Sequence, residues 1–85
     1  MSVSNDQMIR FLRALRGEKG LSRQIGRELG FTFKQMDDIV NELLILGYIK
    51  KVSPIISIPR ELRENFGELI EVTTRGQEFI ARSRQ

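Results

Sequence analysis

The chain has 85 residues, with 14 Lys and Arg against 11 Asp and Glu, and no Cys, His or Trp. Without Cys or His it lacks the usual ligands for zinc, haem or iron–sulfur centres, a thiol nucleophile and a Ser-His-Asp triad, so no metal and no cofactor is expected. At 40% hydrophobic and 29% charged residues it has the composition of a folded globular domain, expected to be one unit over 1–85.

The charge is uneven. Residues 1–52 carry nine basic and six acidic side chains, whereas residues 53–85 carry five of each. A basic first half suits a polyanionic partner such as nucleic acid. No apolar run approaches the roughly 20 residues of a membrane span, and the first residues lack a signal-peptide pattern, so a cytoplasmic chain without membrane contact is expected.

The first helix is expected over about 6–16, capped by Asn5 or Asp6, with Met8, Phe11, Leu12 and Leu15 on one stripe and Arg10, Arg13 and Arg16 opposite. A short second helix over about 23–29 takes Ser22 as its N-cap and ends at Gly30, a position that favours positive φ. Thr32 and Gln35 have the capping-box spacing that opens a third helix over about 33–46, stopped by Gly47. Its apolar side is Met36, Ile39, Val40 and Leu43; Lys34, Asp38, Asn41 and Ile45 fall on the opposite side.

Strands are expected over about 48–52 and 68–72, paired antiparallel. Their connection, 53–67, holds an isoleucine-rich stretch between Pro54 and Pro59, and Arg60–Phe66 suits one or two helical turns before Gly67. A last helix over about 75–82 opens at Thr74–Gln77, with Phe79 and Ile80 inward. The expected architecture is mostly α with a small antiparallel β unit, in the order helix, helix, helix, strand, strand, helix.

Two short helices joined by a tight turn, with Gly26 where crossing helices touch, form a helix-turn-helix pattern. Three segments carry a closer likeness: Leu21–Thr32 (LSRQIGRELGFT), Asn41–Ile49 (NELLILGYI) and Val72–Phe79 (VTTRGQEF). In this order they resemble the winged helix-turn-helix transcription regulators, the group of the MarR-like and PadR-like proteins. The resemblance implies a β wing after the third helix, with 53–67 as the wing connection. It also implies that the third helix enters the major groove of double-stranded DNA, commonly as part of a homodimer.

On that reading the base-contact candidates are Thr32, Lys34, Gln35, Asp38 and Asn41, whose side chains match donor and acceptor groups of guanine, adenine and cytosine. Phosphate candidates are Ser22, Arg23 and Arg27 of the second helix, and Lys50, Lys51, Arg60 and Arg63 of the wing. Asp37 and Asp38 oppose a phosphate backbone, although carboxylates early in a helix favour its positive end. The alternative is a winged-helix protein-interaction module using Ile45, Ile55, Ile56 and Ile58, apolar residues in places that should be exposed. No enzyme is expected, since no activated nucleophile or carboxylate pair stands out and so short a chain has little room for a concavity of ~300 Å³.

Overall fold

A computed structural model describes residues 3–15, 19–52 and 59–83. In chain order its elements are α1 (Asn5–Leu15), β1 (Lys19–Leu21), α2 (Ser22–Glu28), α3 (Phe33–Leu46), β2 (Ile49–Lys51), α4 (Arg60–Phe66), β3 (Leu69–Val72) and α5 (Thr74–Arg82). The chain is therefore mostly helical with a small three-stranded antiparallel sheet, in the strand order β1-β3-β2.

The pairing of β2 with β3 agrees with the sequence expectation, in the register Ile49 to Val72 and Lys51 to Ile70. The third strand, β1, corrects the expected order. Only three residues long and containing Gly20, it has no period of its own. Its extended course is set by the ladder with β3, Lys19 opposite Glu71 and Leu21 opposite Leu69. Arg16 and Gly17, expected at the end of the first helix, lie outside the described residues.

The helices form on their apolar periodicity. Met8, Phe11, Leu12 and Leu15 of α1, Ile25 of α2, Ile39 and Leu43 of α3, Ile49 of β2, and Ile70 and Val72 of β3 join in one buried cluster, with Phe79 and Ile80 of α5 packed against it. Burial of these side chains contributes about 1.5–3 kcal/mol each before the cost of ordering the chain. Gly26 is the contact point of α2 and α3. A Cβ there would overlap Sδ and Cγ of Met36, itself 1% exposed. Gly30 (φ 81°) and Gly47 (φ 78°) end α2 and α3 in the left-handed region that a side chain would disfavour.

Three expected helix caps move toward the N-terminus. The α1 cap is Ser4, which exchanges hydrogen bonds with Gln7. The residue preceding α2 is Leu21, without a side-chain cap bond; Ser22 is its first helical residue and is buried. Thr73, rather than Thr74, caps α5: its hydroxyl accepts from the Gly76 N–H at 3.1 Å and donates to the Gly47 carbonyl at 2.6 Å. Tertiary contact with the α3–β2 turn selects between the two adjacent threonines. The capping box of Thr32 and Gln35 forms as its spacing implies.

Candidate functional site

The outer face of α3 is left exposed along its length. Lys34, Asp38, Asn41 and Ile45 are all exposed, and Ile45 reaches 70%. The N-terminal half of this face is bordered by α2. A groove of about 510 Å³ runs along its flank, between α3, α4, the start of α2 and Lys51 of β2. That groove exceeds the ~300 Å³ for which so short a chain is expected to have little room. Its three carboxylates are each matched with a cation: Asp37 with Arg23 at 3.0 Å, Glu64 with Arg60 at 3.4 Å and Glu68 with Lys51 at 3.1 Å. No group of three or more acidic residues suited to a metal ion occurs among the described residues.

The five base-contact candidates divide into two sets. Thr32 and Gln35 are engaged with each other. The Gln35 N–H donates to Thr32 Oγ1 at 3.1 Å, and the Thr32 N–H donates to Gln35 Oε1 at 2.9 Å. Those two oxygens hold the helix end, so the same groups meet a base only by giving up a cap worth about 1 kcal/mol. Lys34, Asp38 and Asn41 make no ion pair or side-chain hydrogen bond among the described residues. They are the polar groups the helix presents outward.

The phosphate candidates are also unequal. Ser22 is buried, and its hydroxyl accepts from the Glu68 N–H at 3.1 Å while its own N–H donates to the Glu68 carbonyl at 3.0 Å. Gly67 seats the chain against the start of α2; a Cβ there would overlap Ser22 Oγ. The Ser22 N–H at the start of α2 is thus taken by the chain's own backbone rather than left to solvent.

Arg23 donates to both oxygens of Asp37, at 3.0 and 3.4 Å, and to the Glu64 carbonyl. Arg27 donates to the Asn65 carbonyl at 3.0 Å and has no carboxylate partner among the described residues. Lys50 lies 3.9 Å from Glu71, its register partner across the β2–β3 ladder. Arg63 lines the groove without an ion pair among the described residues. The exposed pairs of Lys50, Lys51 and Arg60 hold these cations only loosely, since such pairs are worth about 0–1 kcal/mol and yield to a competing anion.

An arrangement that the sequence reading missed joins α2, α3 and α4. The guanidinium of Arg23 lies 4.6 Å, and that of Arg27 5.5 Å, from the centre of the Phe33 ring; Arg27 also lies 5.9 Å from the Phe66 ring. Cation–π contacts of this kind contribute about 0.5–1 kcal/mol at exposed sites and fix the guanidinium plane. They set the position of Arg27 and of the α4 segment relative to the start of α3. The available signal was Phe33 itself, an aromatic residue at the first position of α3 followed by a lysine.

Of the residues expected to contact a protein partner, Ile45 is exposed as its helical position implies. Ile55, Ile56 and Ile58 lie outside the described residues, and no helix of the described residues is long and apolar enough to cross a membrane. Comparison with protein-family models, curated proteins and solved structures returns no match for this chain.

Proposed function

We propose that the chain is a winged helix-turn-helix protein of the MarR-like and PadR-like kind, which binds double-stranded DNA as a homodimer and regulates transcription. In this reading α2 and α3 are the helix-turn-helix, β2 and β3 form the wing, and α4 lies within the wing connection. The observation that carries it is the close crossing of α2 and α3 at Gly26 and Met36, with the outer face of α3 left uncovered. A groove-reading helix needs such a mount: one side fixed to a supporting helix, the other free to enter DNA about 12 Å wide at the major groove. The packing of α4 against α2 supports the same reading by placing this described part of the β2–β3 connection beside the helix pair.

Within this reading Lys34 and Asn41 carry direct base contacts, to guanine and adenine respectively, and Asp38 accepts from cytosine N4. Arg27 and Arg63, which lack carboxylate partners among the described residues, anchor phosphates beside α3. Lys50, Lys51 and Arg60 exchange their glutamates for phosphates on contact.

The test is equilibrium binding to random-sequence duplex DNA across a salt series. Binding that weakens with a log–log slope of about −0.9 per neutralised phosphate is expected. An absence of binding at low salt overturns the proposal. A second reading, docking of another polypeptide through Ile45, is favoured by the 70% exposure of that side chain. It predicts association that changes little with salt and is lost in Ile45→Asp.

A further inference from the structure

Phe33 is 42% exposed at the first position of α3, a place where a large apolar side chain gains nothing from the core. Its surroundings carry a net positive charge: Arg23, paired with Asp37, and Arg27 lie over the ring, and Lys34 follows it in the chain. Thr32 and Gln35, on either side of this pair, are engaged in the capping box. The first turn of α3 therefore offers a partner one ammonium group and one aromatic ring.

We infer that Phe33 reads thymine, its ring packing against the C5-methyl group that this base projects into the major groove. The inference rests on the proposed entry of α3 into that groove and names what the start of the helix recognises there. Two considerations select this occupant. An apolar pocket on another protein would have to strip water from Arg23, Arg27 and Lys34 to reach the ring, at considerable cost. A DNA duplex meets both requirements at once, since phosphates flank the groove and the thymine methyl is the apolar group on its floor.

The experiment begins with duplexes selected from a random pool for binding to the full chain. Each thymine of the selected site is then replaced singly by deoxyuridine, which deletes the methyl group and leaves the base-pairing edge intact. The expected result is a loss of about four-fold in affinity at a thymine facing the start of α3, the size of one buried methyl. Phe33→Ala should bind the two duplexes equally, and Phe33→Leu should retain part of the discrimination.

Equal binding of thymine and uracil duplexes at every position overturns the inference and leaves the duplex reading standing. A selected site without thymine does the same. If wild type shows no discrimination while Phe33→Ala and Phe33→Leu lose affinity equally on both duplexes, the ring serves only to hold the arginines, and methyl reading is overturned. Failure to bind any duplex overturns both proposals. Circular dichroism checks that the variants fold, and the uracil series on the unaltered chain decides the question without them.

Discussion

Arg23 of α2 donates from two of its nitrogens to the two carboxylate oxygens of Asp37 on α3, and so neutralises one of the cations nearest the outer face of that helix. The pair is partly exposed, with side-chain exposures of 26% and 56%, so its contribution to stability stays within about 1 kcal/mol. Its larger consequence is electrostatic. Asp37→Asn leaves the Arg23 guanidinium without its carboxylate, still held by the Glu64 carbonyl and the Phe33 ring, and removes a negative charge from beside the proposed DNA surface. Tighter duplex binding and a salt slope steeper by about one are expected, read from titrations at several salt concentrations. Unchanged or weaker binding would place Asp37 among the groups that position Arg23 for contact.

The Gly26–Met36 contact makes a sharper prediction about stability. Alanine has the better helix propensity, worth up to about 1 kcal/mol over glycine. Against that, the added Cβ would overlap the Met36 side chain, which is 1% exposed. Overpacking should win, with a net loss of about 1–3 kcal/mol in chemical or thermal denaturation. Met36→Ala makes room for the new methyl, so the double variant should be more stable than the sum of the two single effects allows. Strict additivity would show that the two residues do not share this space.

Much of the framework was legible in the residues because strong apolar periodicity and tertiary burial agree. The stripes of α1 and α3, the glycine stops at Gly30 and Gly47, and the β2–β3 pairing all follow from such local rules. β1 was not legible, because three residues containing a glycine become a strand only through Glu71, Ile70 and Leu69 opposite them. The caps were misplaced where neighbouring residues offer equivalent hydroxyls, and a distant backbone group decides between them. Thr73 is chosen by the Gly47 carbonyl. Phe33 was hidden for a different reason. Its spacing from Met36 and Val40 prolongs the apolar stripe on paper, whereas in the fold two guanidinium groups lie over its ring.

Thr32 and Lys34 separate holding the helix from touching a ligand. Thr32→Ala removes the oxygen that accepts from the Gln35 N–H, and should cost about 1 kcal/mol of stability, seen as a lower denaturation midpoint. Lys34 is exposed, with no ion pair among the described residues. Lys34→Ala should leave stability within about 0.5 kcal/mol and weaken duplex binding, most strongly at a guanine in a selected site. Loss of stability in Lys34→Ala, with binding per folded molecule unchanged, would remove it from the reading surface.

Ile45 distinguishes the two proposed uses of α3. It stands one turn beyond Asn41 on the outward face, near the C-terminal end of the helix, whereas base contacts in a helix-turn-helix concentrate toward the N-terminal end. At 70% exposure it contributes little to the core, so Ile45→Asp should leave the denaturation midpoint nearly unchanged. Its effect on DNA should also be small beside that of Lys34→Ala, limited to the repulsion of one added carboxylate and diminished by salt. Sedimentation of the same variant completes the comparison. If Ile45 lies in a contact between copies, the Asp substitution shifts the chain toward monomer, and duplex binding then falls through loss of the dimer rather than loss of a base contact. A monomer–dimer balance unaffected by the substitution would place any dimer contact on another face.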